Sequence, residues 1–443
     1  MVNPGDTGAD LVIVSVFGRG HWMAAELAGH GVSVALVELS NQMGRWSPED
    51  VEGPFGYFHA SNLTLSQKAR LDEEDYSEQL DDGFVLWLKN GPIDMRSMHS
   101  VYALKKAGIT NDMLEYVGNY DGLAPKRRDE LVKGWRHQPF SANWFVNLAH
   151  SLASPFSNRN HEALQFGRPL PLTAPYAIRR VSRRGFEKSL QWVEALGVNT
   201  RSKAVLKTLD LHGHYLHGFI FEDGRRLNGE QFVWCLTSGE TKRLASPIFN
   251  ELFPHGELTP EWVWIRYRIG LSKSHVTDSL PLKVLVLEDL GLPWSHANLI
   301  WLQRTTSSEI FDGWVRIPAV HRFQKPYLEA MGREIVGTLE ERLPGVNVNV
   351  AEPPQEFTYE PNELGPALFQ SFEPSVLNKF NRCALRNLQF DGPEVWGALD
   401  WSARMESQKA LVENIVRWKK ERELLDAKMA AKTNRIHPGG GSL

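Results

Sequence analysis

The sequence predicts an α/β protein in which a domain built on a parallel sheet is joined to a second domain of helices and an antiparallel sheet. Three observations predict it. Residues 10–38, DLVIVSVFGRGHWMAAELAGHGVSVALVE, read as strand, turn, helix, strand. Residues 175–237 add an extended segment, a helix, a strand, a hairpin and another buried strand. From about residue 260, four stretches separated by turn signals (EWVWIRYRIGL, LKVLVLEDL, ANLIWLQRT and FDGWVRIPAV) have the look of antiparallel strands.

In the first segment LVIVSV is an unbroken apolar run, as a strand covered on both faces needs. Gly18 and Gly20 punctuate it, and Trp22, Met23, Ala25 and Leu27 begin a helix that Gly31 ends. VSVALVE is a second β-branched run closing on Glu38. A βαβ unit this short, with an acid at the end of its second strand, has the form of a Rossmann-like dinucleotide site: phosphates at the helix N-terminus, ribose hydroxyls on the acid. A plain βαβ unit of another α/β fold is the alternative on so thin a glycine pattern.

The same residues, 10–38, resemble without a gap the N-terminal fingerprint of FAD-dependent oxidoreductases of the phytoene desaturase and amine oxidase type. That register sets Ser15, Phe17 and Gly20 on the three glycines of a degenerate GxGxxG, and only the third survives. The second glycine lets the backbone approach a pyrophosphate, so the Phe17 ring stands where it obstructs the ligand. A shifted register starting at Gly18 keeps two glycines, puts Met23 on the third and shortens the helix. Glu38 takes the ribose position, and Gly44 with Arg45 is a thinned version of the glycine and arginine that follow it.

The resemblance returns twice. In residues 175–237 the order of elements matches, with Val205 and Leu209 nearest the element that lines the adenine and Asp223 with Gly224 at a hairpin turn. In residues 381–418 Asn387, Leu388 and Gly392 match the last FAD-binding segment, and Gly397, Ala398, Ser402 and Ala410 fall on its small-residue helix. Pro393 replaces the usual acid there, with Asp391 before the glycine, and Trp396 and Trp401 replace small residues. Three separated blocks imply interleaved domains: residues 1–50, 175–245 and 378–430 as an FAD/NAD(P)-binding-like domain, and 51–174 with 246–377 as a substrate-type domain. Residues 431–443 read as a flexible tail.

Composition sets outer bounds. The chain has 443 residues, 49 basic and 53 acidic, for a net charge of −4, which argues against a nucleic-acid surface or a membrane patch. Its start lacks the basic and apolar regions of a signal peptide, and no stretch is long enough to span a bilayer, so a cytoplasmic protein is expected. Cys235 and Cys383 read as buried thiols of a reducing compartment. The 15 tryptophans read as filling for an aromatic core. His212, His214 and His217 read as exposed edge residues rather than metal ligands, and the acidic run at 71–82 as a solvated surface. No metal is expected.

Residues 90–154 carry amphipathic helical patterns, and residues 326–346 a clear helix stopped at Pro344 and Gly345. On the antiparallel strands, Arg266, Arg268, Arg304 and Arg316 are candidates to line an anionic substrate pocket. The chain holds no Gly-x-Ser-x-Gly, P-loop, His-Glu-x-x-His or Cys-x-x-Cys, which weighs against a hydrolase or metalloenzyme and little against a flavoenzyme, whose cofactor carries the chemistry. Two readings follow. One is an FAD-dependent oxidoreductase acting on a small-molecule substrate. The other is a pseudoenzyme: a non-catalytic scaffold or binding module whose flavin site is lost. Leu411, Ile415, Trp418, Leu425 and Met429 give the C-terminal helix one apolar face, for its own domain or for a protein partner.

Overall fold

The computed structural model describes residues 7–39, 57–59, 77–79, 84–95, 97, 99–153, 169, 172, 178–181, 183–202, 205–253, 260–272, 280, 283–292, 294–305, 309–343, 345–361, 385–392 and 401–436. In chain order the strands are β1 (Thr7–Ser15), β2 (Val34–Glu38), β3 (Tyr57–His59), β4 (Ser77–Gln79), β5 (Phe84–Leu88), β6 (Gly91–Asp94), β7 (Ile178–Val181), β8 (Asn199–Arg201) and β9 (Leu206–His212). They continue with β10 (Tyr215–Phe221), β11 (Arg226–Trp234), β12 (Pro260–Leu271), β13 (Lys283–Leu287), β14 (Leu299–Arg304), β15 (Ile310–Pro318), β16 (Val348–Pro361) and β17 (Leu388–Phe390). The α-helices are α1 (His21–Gly29), α2 (Ser100–Lys106), α3 (Asn111–Gly118), α4 (Pro125–Trp135), α5 (Trp144–Ala153), α6 (Arg183–Ala195), α7 (Ser238–Leu244), α8 (Phe249–Leu252), α9 (Lys325–Arg342) and α10 (Trp401–Ile436).

The first sheet runs β8-β2-β1-β11-β10-β9, with β17 also on β11. Strands β8, β2, β1, β11 and β17 are mutually parallel. Both faces are covered, which is why β1 has no polar alternation: Leu11 and Ile13 pack with α1 and α10, while Val12 and Val14 pack with Phe219, Trp234 and Leu244. The stretch expected as one strand after α6 divides in two. Its first part is β8, parallel to β2, and its second is β9, antiparallel to β10 on the other edge. At the hairpin Gly224 takes a φ of +80°, as the Asp-Gly turn requires.

The second sheet runs β16-β12-β15-β14-β13-β5-β6. The four strands legible in sequence, β12 to β15, pair antiparallel. Three more have no such signal in the sequence: β5 and β6, and β16, whose Pro353 and Pro354 obscure it. Proline is tolerated there because β16 is an edge strand. One face of this sheet is covered by α3, α4 and α5 through Trp135, Trp144, Trp264, Trp294, Trp301 and Trp314, the other by α9. The chain thus supplies the first sheet from residues 7–38, 199–234 and 388–390, and the second from 84–94 and 260–361. Helix α10 reaches Ile436, so residues 431–436, read as part of a tail, are helical, and the rest of that tail lies outside the described residues. Among the described residues no helix is long and apolar enough to cross a membrane.

Candidate dinucleotide site

Ligands of open parallel sheets bind beyond the carboxyl ends of the strands. Here that edge holds the turn between β1 and α1. Ser15 ends β1 in register with Glu38, the last residue of β2. Phe17 and Gly18 both have positive φ, 56° and 72°, and Gly20 precedes the helix. A left-handed conformation is ordinary for glycine and strained for a bulky phenylalanine. Phe17 is retained there because its ring is buried in the core under the sheet beside Val16, Leu39 and Leu236.

The polar groups of the turn are occupied by neighbouring side chains. The Gly18 N–H donates to Glu38 Oε2 (3.2 Å), and the Gly20 N–H donates to Ser15 Oγ (2.9 Å). The same Glu38 oxygen lies 3.1 Å from His21 Nε2, while His21 Nδ1 lies 2.7 Å from Ser189 Oγ on α6. The Ser189 hydroxyl in turn donates to the Phe186 carbonyl (2.8 Å), and the Phe186 ring stacks on His21 at 5.0 Å. Glu38 is left with 1% of its surface exposed. In this serine, histidine and glutamate chain the serine is buried and its proton is committed to a backbone carbonyl.

Arg19, the one cation in the turn, also points inward. Its guanidinium makes two bonds to Glu240, at 2.6 and 3.0 Å. Glu240 caps α7 at the same time: its carboxylate accepts the Thr237 N–H (2.9 Å) while Thr237 Oγ1 accepts the Glu240 N–H (3.1 Å). Burial alone raises the Glu240 carboxyl, but Arg19 and the Thr237 N–H outweigh it and hold the group below the usual carboxylate range. From α10, Gln408 Nε2 donates to the Arg19 carbonyl (2.6 Å) and to Asp391 Oδ2 (2.8 Å).

A dinucleotide would need free turn amides for its pyrophosphate, a free carboxylate for its ribose and close approach to the backbone. The amides of Gly18 and Gly20 and the Glu38 carboxylate are engaged, and a Cβ on Gly18 would come within 3.0 Å of the Phe186 ring. The residues at this turn do not fit an FAD or NAD(P) pyrophosphate.

The other expected positions scatter. Ser15, Phe17, Gly18, Gly20 and Glu38 come together at the turn. Gly392 lies beyond β17, where a Cβ would press on the Leu236 carbonyl at 3.0 Å, so its smallness serves packing of chain on chain. Val205 is 37% exposed in the link from β8 to β9. Arg45 lies outside the described residues, as do Gly44, Pro393, Trp396, Gly397, Ala398 and Cys383. On the second sheet the period-two alternation sets Arg266, Arg268 and Arg316 on the face with Trp264 and Trp314, but Arg304, opposite Phe311, on the other. Arg268 is paired with Asp312 (2.9 Å), and Arg304 donates to the Leu280 carbonyl (2.6 Å). The four arginines therefore do not converge on one pocket. Arg316 is buried against the Trp262 ring at 4.2 Å, and Arg266 lies 5.8 Å from that of Trp314.

Sequence reasoning missed His21, Ser189, Phe186, Arg19, Glu240 and Gln408. Thr237-Ser-Gly-Glu240 carries the capping-box signature and was readable. The others have no local signal. The His212 and His217 rings lie 4.2 Å apart and tilted on the hairpin, and among the described residues no group of three His, Cys, Asp or Glu could hold a metal. A recess of about 500 Å³ opens at the opposite end of β1, lined by Gly8, Asp10, Asp210, His217, Arg226 and Glu230. Its charges are paired with one another and with α10, Arg226 to Asp210 and Lys419 to Asp10.

No family model matches the chain, and no curated protein does. Among solved structures, an oxidoreductase from Methanosarcina mazei is similar over 92% of this chain and 100% of its own, at 12% identity and a TM-score of 0.55. Putrescine oxidase bound to putrescine is similar over 93% of this chain and 100% of its own, at 13% identity and a TM-score of 0.48. A flavin-dependent brominase is similar over 93% of this chain and 79% of its own, at 11% identity and a TM-score of 0.46. At these identities the likeness is one of fold. The chain shares the fold of the Methanosarcina mazei oxidoreductase, with a parallel-containing sheet and a separate antiparallel sheet.

Proposed function

We propose that this chain uses the flavoprotein fold as a non-catalytic scaffold or binding module, its dinucleotide crevice closed by its own side chains. The observation that carries the reading is the buried Glu38 carboxylate, shared between the Gly18 N–H and His21, with His21 itself fixed by Ser189 and covered by Phe186. A diphosphate at this turn would displace satisfied hydrogen bonds and meet an apolar ring, leaving its desolvation uncompensated. Under this reading residues 1–50, 175–245 and 378–430 make one domain, and 51–174 with 246–377 the other.

Titration of the purified protein with FAD, followed by flavin fluorescence, tests it. The wild type is expected to take up no flavin saturably, and the Ser15→Gly, Phe17→Gly variant to gain binding if the closure is local. Stoichiometric, saturable uptake by the wild type would sink the reading.

A second reading, an FAD-dependent oxidoreductase with a small-molecule substrate, is favoured by one observation: Glu38 ends the second parallel strand beside the turn, where a ribose-binding acid belongs. FAD would then supply the redox chemistry, and Arg266 and Arg316 would be the cations nearest an anionic substrate on the second sheet. The same titration separates the two readings.

A further inference from the structure

The recess of about 500 Å³ lies at the amino end of β1, the far end from the turn and its crevice. Its lining runs from Ser33, just before β2, to Asp210 on β9, so it crosses the first sheet over four strand spacings, about 19 Å. One of its walls is open backbone. The pairing of β1 with β2 begins only at Leu11, whose N–H donates to the Ser33 carbonyl (3.1 Å). Alternate residues of a strand turn their peptide groups to the same side, so the N–H and C=O of Ala9 point to where β2 has not yet begun, and Ala9 lines the recess.

The charges around the recess are closed in pairs. Arg226 binds Asp210 (2.5 Å), Lys419 binds Asp10 (2.8 Å) and Arg422 binds Glu230, so three carboxylates are matched by three cations. A charged ligand would have to take a partner from one of these pairs and leave the other charge uncompensated. What the recess leaves open are hydrogen-bonding groups: among the described residues none bonds the Ser33 hydroxyl, the Asn228 side-chain amide or the His217 ring nitrogens. A ligand with many hydroxyls, each both donor and acceptor, meets these groups and the Ala9 peptide while the ion pairs stay intact. The volume is that of a small-molecule site, and the length that of a short chain rather than a single ring.

We propose that this recess binds a short, uncharged oligosaccharide through the Ala9 peptide group, Ser33, Asn228 and His217. The site is independent of whether the crevice at the other end of β1 holds a flavin. Saturation-transfer NMR of the full chain with maltotriose, cellotriose and xylotriose tests it, beside the cationic trimer of glucosamine and the anionic trimer of galacturonate. At least one neutral trimer is expected to bind saturably, and both charged trimers at least tenfold more weakly. Two variants place the ligand. A Cβ added at Gly8 meets nothing within 4 Å, so Gly8→Phe fills the recess without displacing its neighbours and is expected to abolish binding. Asn228→Ala is expected to raise the dissociation constant at least tenfold, with the urea midpoint of both variants unchanged. No binding of any neutral trimer, a charged trimer bound as tightly as the neutral ones, or binding unaltered in Gly8→Phe would each overturn the proposal.

Discussion

Glu38 is the residue of which the two functional readings ask opposite things. A carboxylate kept for a ribose should be dispensable to folding in the absence of ligand, whereas one that accepts a buried N–H and meets His21 should be part of the fold. Glu38→Ala is therefore expected to lower stability by about 1–3 kcal/mol in urea unfolding without any nucleotide, because it leaves a buried donor unpaired. Unchanged stability would return Glu38 to the ribose role. Phe17 sets strain against packing. Its φ of 56° costs of order 1 kcal/mol, but removing a buried ring costs about 3–5 kcal/mol, so Phe17→Gly should be destabilising by about 2–4 kcal/mol. A Phe17→Gly variant more stable than the wild type would show that the ring is not held as described.

At the scale of elements, the turn, α7 and α10 are tied by Arg19, Glu240 and Gln408. Removing one partner of a buried ion pair leaves an uncompensated charge, so Arg19→Met is expected to cost about 3–5 kcal/mol, and the double variant with Glu240→Leu to recover most of it. A double variant as unstable as the single one would contradict this. The Glu240 carboxyl is held below its ordinary range, as is that of Asp10, where burial is outweighed by Lys419 and the Ser33 N–H. Carboxyls depressed in the folded state add stability that is fully present above their unfolded pKa values and lost as pH falls through the folded ones. The urea midpoint should thus fall below about pH 4.5, and fall less in Glu240→Gln; equal slopes would remove Glu240 from the linkage. Much of this scale was legible. The unbroken apolar run of β1, the acid closing β2 and the alternation of β12 to β15 are local patterns that period and turn residues report. The lock on the turn was not, because its partners are remote in sequence: His21 meets Ser189, Arg19 meets Glu240 and Gln408 reaches the Arg19 carbonyl. Such contacts leave no periodic trace. The arginines misled for a related reason, since alternation places residues on a face within one strand and says nothing about which face a neighbouring strand turns the same way.

Across the whole molecule, a sheet begun at residue 7 is completed only by β17 and by α10, hundreds of residues later. Ending the chain at residue 407 would strip Gln408, Leu411, Val412 and Ile415 from the first sheet. The three aliphatic side chains alone are worth about 5 kcal/mol or more, comparable to the net stability of a domain, so this truncation should not fold that sheet. Ending it at residue 423 keeps them and should leave the urea midpoint of the body unchanged; a large loss there would mean that the last turns of α10 are part of the body. The reading proposed for the molecule is a scaffold whose crevice at the β1–α1 turn is filled by its own side chains. The visible spectrum of the freshly purified full-length protein, read again after denaturation to release any bound flavin, tests it most directly. A colourless protein that releases no flavin is the predicted result, and a yellow protein releasing one FAD per chain would contradict it.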